Sequence, residues 1–463
     1  MLARLLILTW VAFVPSFAPA ALAQSLPQTP EAHAREVLNQ MATGKFAAVE
    51  AQYDEHVKAA LPAGKLAATW SALTGQVGNL VEVTGAYSQQ ASGNEVVTLA
   101  CAFERMKLDV IVGFNANGEI AGLRFIPHQD APDWSPPGYA VPSAFTEQPV
   151  TVQFQHWALP GTLTIPNGSG PFPIAVLVQG SGPHDADETI GPNKPFKDLA
   201  WGLASQGVAV LRYTKRTAQY GLKASDDPAA LTVDDETVND ARAAVALAAT
   251  QARIDPKRVY VLGHSLGGYL APRIAQGDPQ VAGVVLLAGS CRPLEQIVVE
   301  QIRYIVGISN MPADEAQRRI AKAEQDAKAI ESPDLKKGDT VHLAGAPVPA
   351  SYFLDLRNYH PAEMAASLSI PILVLRGTRD YNVTSADYDA WRQALSARPN
   401  VSFKLYPGLT HLFMPSISPG DGLGTPADDD HPGHVDADVV RDISAWVLSG
   451  GQRPKMTPAK GDS

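Results

Sequence analysis

The sequence predicts an α/β domain with a mostly parallel sheet covered by helices, preceded by a small α+β domain. Three observations predict it. From residue 150 onward, short apolar strand-like runs alternate with helical segments, the rhythm of repeated βα units. One run, PIAVLVQ at residues 173–179, is apolar without alternation, as a strand buried on both faces is. Upstream of it, helical spacing gives way at Leu80 to strand-like segments, the order of an α+β unit.

In chain order, residues 1–23 come first and read MLARLLILTWVAFVPSFAPAALA. A positive start at Arg4, an apolar run from Leu5 to Phe17 and an A-x-A site at Ala21-Leu22-Ala23 form a secretory signal, with cleavage after Ala23. The apolar run is short for a span of ~20 residues, and no later stretch is long and apolar enough to cross a bilayer. The expectation is a soluble periplasmic or secreted protein with no stable membrane insertion once the signal is removed.

Residues 24–128 are expected to form the small domain. Leu66, Trp70, Leu73 and Val77 share one helix face. Strands follow from Val81 and at residues 96–103, 108–114 and 119–126. The last two are separated by Asn115-Ala116-Asn117-Gly118, residue types that tolerate a positive φ. Residues 129–147 hold Pro132, Pro136, Pro137 and Pro142, a composition suited to a semi-rigid linker.

Residues 148–450 carry the strand–helix alternation. Strands are expected at 150–154, 158–165, 173–179, 208–213, 258–262, 281–287, 370–375 and 401–406. Helices are expected at 198–204, 234–249, 266–275 and 435–448. The 234–249 helix opens with acidic residues, which suit its positive end. Between Cys291 and Pro371 the interval is far longer than one crossover needs. Residues 292–366 therefore read as an insertion, helical at 312–330 and expected to act as a cap over a site. Residues 451–463 read as a flexible tail.

Composition narrows the function classes. The chain has 463 residues, 45% hydrophobic and 18% charged, the balance of a globular protein. Its net charge of −10 and the lack of a Lys/Arg cluster argue against nucleic acid as a partner. Two cysteines are too few for a disulfide scaffold or a thiolate zinc site. Cys101 and Cys291 fall in different units and are expected to be free, buried thiols.

Gly263-His264-Ser265-Leu266-Gly267 is a G-x-S-x-G motif. The strand-like RVYVL precedes it and a helix opens after it, the context of a sharp turn that exposes a serine Oγ. The glycines let two backbones pass closely, and the helix N-terminus favours negative charge at Oγ. A serine hydroxyl is a weak nucleophile and needs a base. Of eleven histidines, His411 fits best, on a loop after the strand at 401–406. His360, His431 and His434 are poorer candidates. Asp380, at the mouth of the strand at 370–375, would accept the Nδ1 proton of His411 and stabilise the imidazolium. Two N–H groups should bind a developing oxyanion. One is that of Leu266. The other is that of Ser181 in the loop Gly180-Ser181-Gly182-Pro183, with Gly182 as runner-up. The cluster His184, Asp185, Asp187 and Glu188 and the cluster Asp428, Asp429, Asp430, His431 and His434 match no reliable metal spacing, and solvated acidic loops are the simpler reading.

GHSLGG at 263–268, GTRDYNVT at 377–384 and YPGLTHLF at 406–413 resemble the bacterial α/β-hydrolase-fold esterases. QGSGPHDADETIG from Gln179 and AGSCRPLEQ from Ala288 resemble a subgroup with a small N-terminal α+β domain of unknown function. The resemblance implies an α/β-hydrolase fold with a helical cap insertion, and Ser265, Asp380 and His411 as nucleophile, acid and base. Members include carboxylesterases and dipeptidyl-aminopeptidase-like hydrolases. The small domain is similar to NTF2-like or cystatin-like folds.

The expected function is an exported serine carboxylesterase acting on a small-molecule ester through an acyl-enzyme. No metal or organic cofactor is implied, because the triad supplies nucleophile, base and charge stabilisation. The alternative is an exopeptidase, which needs carboxylates to hold a substrate amine. Glu295, Glu300 and Asp355 lie in or beside the insertion, but nothing in the sequence pairs them. A binding module on a hydrolase scaffold is the reading from another class; it predicts a missing triad member, and none is missing. Oligomeric state is left open.

Overall fold

In the computed structural model the described residues are 30–61, 63–91, 94–115, 117–128, 134–221, 224–309 and 311–452. The expected signal at residues 1–23 and the expected tail beyond Gln452 lie outside them. The chain divides close to residue 130 into two compact units.

The first unit has helices α1 (Pro30–Ala42), α2 (Phe46–Glu50), α3 (Glu55–Ala60) and α4 (Lys65–Val77). An antiparallel meander follows: β1 (Leu80–Ala91), β2 (Asn94–Phe103), β3 (Lys107–Phe114) and β4 (Ile120–Pro127), in that spatial order. Ala34, Val37, Leu38 and Met41 recur at helical spacing and form the buried face of α1. Leu66, Trp70 and Val77 do the same for α4, with Leu73 half-buried beside them. On the sheet, Val97, Leu99 and Cys101 stand opposite Val112, Val110 and Leu108, so one face is apolar with period two. Asn115 Oδ1 accepts the N–H groups of Asn117 and Glu119 at 2.9 and 3.0 Å, and Gly118 takes φ +76°. The turn residues thus close β3 onto β4 as their chemistry predicts.

The second unit begins earlier than the linker reading has it. Trp134 Nε1 donates to Asp198 at 2.8 Å, and its ring meets Trp201 edge-on at 5.0 Å. Residues 134–144 therefore pack on the α/β domain. Prolines fix φ but leave the aromatic residue among them free to bury itself. The elements are then β5 (Phe145–Phe154), β6 (Trp157–Pro166), β7 (Phe172–Val178), α5 (Pro195–Ser205), β8 (Ala209–Tyr213), α6 (Arg216–Tyr220), α7 (Asn239–Ala249), β9 (Ile254–His264), α8 (Leu266–Ala275) and β10 (Val281–Leu287). The inserted interval holds α9 (Leu294–Ile308), α10 (Ala313–Glu331), the short strands β11 (Thr340–Leu343) and β12 (Ala346–Pro349), α11 (Ala350–Leu356) and α12 (Pro361–Ser367). The fold closes with β13 (Ile372–Gly377), α13 (Ser385–Leu395), β14 (Val401–Tyr406), α14 (Pro426–Asp429) and α15 (Ala437–Leu448).

Eight strands form one sheet in the order β14-β13-β10-β9-β7-β8-β6-β5. β6 runs antiparallel to both neighbours, and the remaining pairs are parallel. The central strands are buried on both faces, which explains their unbroken apolar runs. Val176, Val178, Val259, Val261, Val284 and Leu286 face α7, α8 and the large rings of Tyr269 and Trp391. Ala175, Leu177, Tyr260, Leu262, Val285 and Leu287 face α5 and α15 through Phe196, Leu199, Val440 and Trp446. From β7 the chain passes to β8 on one side and then to β9 on the other. The carboxyl ends of β7 and β9 therefore flank a topological switch point, where open α/β sheets take their ligands.

Candidate active site

Both strands at the switch point end in residues the sequence singles out. β9 runs to His264, Ser265 follows with φ +52° and ψ −113°, and α8 begins at Leu266. A non-glycine residue in this region is strained and persists only where its surroundings hold it. The surroundings do: Ser265 N–H donates to Leu287 O and Tyr269 N–H to Ser265 O, each at 2.9 Å. A Cβ on Gly263 would lie 2.1 Å from Gly267 O, and one on Gly267 would lie 2.1 Å from Val178 O. Only glycine lets the turn close against β7.

After β7, Gly180 comes against the serine. A Cβ on Gly180 would stand 3.2 Å from Ser265 Cβ and 3.7 Å from its Oγ. The Gly180 N–H is already committed, donating to Glu188 Oε1 at 2.6 Å, and its carbonyl accepts from Lys215 Nζ at 2.8 Å. The next N–H groups in the loop are those of Ser181, which is exposed, and Gly182, which takes φ +92°. Leu266 is the first residue of α8, so its N–H has no intrahelical acceptor.

Asp380 lies three residues beyond β13 and is fully buried. Its Oδ1 accepts the N–H groups of Asn382 and Val383 at 2.8 and 2.9 Å. Its Oδ2 accepts from Nδ1 of His411 at 2.9 Å. The two loops touch directly. A Cβ on Gly377 would lie 2.2 Å from Leu409 O, and Arg379 N–H donates to that same carbonyl at 2.9 Å. Thr410 N–H bonds Met414 O at 2.9 Å and closes the turn that holds His411.

The other candidates lie elsewhere. His360 is exposed at the N-terminus of α12, His431 is exposed, and His434 contacts Asp198 at 3.1 Å. Asp187 pairs with Arg212 at 2.8 Å, and Asp428 caps α14. Among the described residues no group of three or more His, Cys, Asp or Glu is arranged to hold a metal. Of the carboxylates considered for an amine-binding site, Glu300 is paired with Arg292 at 2.6 Å and Asp355 with Arg273 at 2.7 Å. Glu295 lines a cavity of about 450 Å³ with Tyr269, Cys291, Glu331, Arg357 and Tyr359. Cys101 is free and buried as expected, whereas Cys291 is free but only half-buried, and burial pushes their thiols up, to about 11 and about 12. Such thiols stay protonated and unreactive near neutral pH.

The sequence does not reveal the pair beneath the serine. Glu188 Oε2 lies 3.0 Å from His264 Nδ1, off the line of an ideal N–H···O, and the contact is an ion pair whenever the ring is protonated. Burial alone would raise the Glu188 carboxyl, but the His264 imidazolium holds it below the ordinary carboxylate range. Burial alone would lower His264, but the Glu188 charge raises it above the ordinary imidazole range. Burial lowers the pKa of the nearby His184, on which the Glu188 charge acts upward and the Lys215 charge downward. The consequence for stability has a definite sign. The depressed carboxyl contributes above its unfolded pKa of about 4.3, and this is lost as pH falls through the folded value. The raised imidazole contributes fully below its unfolded pKa of about 6.5, and this is lost as pH rises through the folded value. The Tm difference between wild type and Glu188→Gln/His264→Asn should therefore be largest near pH ~5–6 and shrink above it. A difference that stays constant into the alkaline range contradicts the pairing.

A strained serine at a strand-to-helix turn, with a carboxylate–histidine pair on the neighbouring loops of a mostly parallel sheet, is the framework of an α/β hydrolase. Residues 175–425 match the model of the alpha/beta hydrolase family, and the chain belongs to it. Residues 34–123 match a domain described as a protein of unknown function, DUF3887. The chain is similar to esterase EstD of Thermotoga maritima, 39% identical over 392 residues that cover 85% of this chain and 89% of EstD. Among solved structures it is similar to Est1E from Butyrivibrio proteoclasticus, with a TM-score of 0.43 and 15% identity over 65% of this chain and 98% of that one.

Proposed function

We propose that the protein is an exported serine carboxylesterase. The observation that carries the reading is the hydrogen bond from His411 Nδ1 to the buried Asp380, on loops beside the strained Ser265. In this reading Asp380 fixes the tautomer in which Nε2 of His411 is free to accept a proton. Ser265 Oγ attacks the ester carbonyl as His411 takes its proton. The oxyanion accepts hydrogen bonds from the N–H groups of Leu266 and Ser181. Collapse breaks the C–O bond, and His411 returns the proton to the departing alcohol. Water, activated by His411, then attacks the acyl-enzyme, releases the acid and restores Ser265. The esterase named among the relatives supports an ester over a peptide. Export is supported by the signal pattern at residues 1–23.

The test is a p-nitrophenyl ester series, acetate through palmitate, beside aminoacyl-p-nitroanilides, with labelling by a fluorophosphonate. The expected result is ester turnover with little anilide turnover, and one phosphonyl group per chain on the peptide that holds Ser265. Anilide turnover with little ester turnover would replace the esterase with an exopeptidase. An unlabelled Ser265 peptide in a folded protein would remove the serine mechanism altogether.

A further inference from the structure

Two buried ionisable side chains stand against the triad without a part in the steps above. Glu188 is fully buried and takes φ +51°, a conformation non-glycine residues rarely adopt. One of its oxygens accepts the Gly180 N–H at 2.6 Å, and the other lies 3.0 Å from His264 Nδ1. His264 Nε2 donates to the backbone carbonyl of His411 at 3.1 Å, and the two imidazole rings lie 4.6 Å apart. The contacts run without a gap from the loop after β7, under Ser265, to the residue that carries the base.

We infer that Glu188 and His264 form a positioning pair that fixes the oxyanion-hole loop at Gly180 and the base-bearing loop at His411 relative to each other across Ser265. The inference rests on the triad reading proposed above. Three observations favour it over a role in stability alone. First, the pair shares an apolar pocket with Phe196, Leu199, Leu287, Leu412 and Phe413. Replacing a buried ion pair by apolar residues is often neutral or stabilising, so stability is a weak reason to keep one there. Second, both ends of the pair attach to backbone, not to other side chains, and both attachments fall on loops that carry proposed catalytic groups. Third, Gly180 is gripped on both sides: the N–H of the peptide it shares with Gln179 is held by the Glu188 carboxylate, and the carbonyl of the peptide it shares with Ser181 by the Lys215 ammonium at 2.8 Å. The second of these peptides also carries the Ser181 N–H, which in a planar trans unit points opposite to the Gly180 carbonyl, so the two contacts together set the direction of the chain into Ser181.

The test uses the full chain and three variants, Glu188→Gln, His264→Asn and the double variant, assayed on p-nitrophenyl acetate and normalised to the folded fraction by circular dichroism. Each single variant is expected to lose roughly 10- to 100-fold in kcat, since a shift of order 1 Å in a reacting group costs that much. KM should stay within about threefold, because substrate binding is not what the pair orders. The double variant should lose no more than about the worse single one, as residues acting as a unit do. A variant that merely loosens the fold would instead lower the folded fraction and leave kcat per folded molecule unchanged. The inference is overturned by kcat within about twofold of wild type in the folded variants, by a loss confined to KM, or by losses that multiply in the double variant. If Glu188→Gln does not fold, His264→Asn decides alone on the same kcat criterion. Ser265→Ala in the same assay separates the two readings. Full turnover by that variant sinks the triad. Its inactivity beside wild-type kcat in the pair variants sinks only the positioning role.

Discussion

Replacing Ser265 by alanine should lower kcat on p-nitrophenyl esters by roughly 10⁴- to 10⁶-fold, the scale of nucleophile loss in serine hydrolases. The fold should survive the change. Alanine keeps the Ser265 N–H that bonds Leu287 O and the carbonyl that accepts from Tyr269. It carries the same Cβ, so it meets the φ of +52° with no more strain than serine does. The lost atom is one oxygen at a half-buried position. The residual rate should still exceed the rate in water, because the N–H groups at Leu266 and Ser181 continue to polarise a bound carbonyl. The measurement is kcat and KM of the purified variant beside wild type, with circular dichroism to compare the folds. Turnover within about tenfold of wild type would require another nucleophile. Turnover that vanishes together with the circular dichroism signal would only report unfolding, which the backbone argument excludes.

What the sequence reveals and what it hides follow from the range of the physics involved. The central strands are legible because burial on both faces leaves no polar alternation, as in residues 173–178 of β7. Ser265 is legible because strand, glycine, serine, glycine and helix are contiguous, and each residue's role is local. Asp380 and His411 are legible one step less directly, through chain order and position after strands. The hydrogen bond between them spans 31 residues, and only the fold forms it. Glu188 and His264 are hidden for a related reason. Both stand inside the quoted motifs, but an acid in one loop and an imidazole in another carry no local sign of pairing. Their contact depends on β7 and β9 being neighbours, a property of the crossover. The linker reading fails for a different cause. Proline content at residues 129–147 describes backbone stiffness, and it is silent about Trp134, whose indole finds Asp198 across 64 residues. The inserted interval is legible as an interruption only. α10 has a helical pattern long enough to read, and α9 carries one too, with Leu294, Val298, Ile302 and Ile305 at helical spacing, whereas the seven-residue α11 and α12 are too short to show a period.

Asp380→Asn should lower kcat by about 10⁴-fold at neutral pH with KM little changed. The size follows from which way the new amide must face. Oδ1 of Asp380 accepts two backbone N–H groups, from Asn382 and Val383. An asparagine satisfies both only by keeping its carbonyl oxygen on that side. Its NH2 group then occupies the position of Oδ2, 2.9 Å from His411 Nδ1. An NH2 donor there demands a bare Nδ1, so the imidazole proton moves to Nε2, and His411 can no longer take the proton of Ser265. The flipped amide fares worse. It sets its NH2 against two backbone donors in a fully buried site and leaves all of them unsatisfied, at ~1–3 kcal/mol each. The variant is therefore locked in the inactive tautomer by contacts that the wild-type carboxylate uses to hold its place. Steady-state kinetics give kcat and KM, and thermal unfolding separates a tautomer effect from a loss of fold. Wild-type kcat in Asp380→Asn would remove Asp380 from the triad. A loss of kcat in Asp380→Asn that matches Asp380→Ala, with an unchanged Tm in the former, would locate the effect in the orientation of His411 rather than in the integrity of its loop.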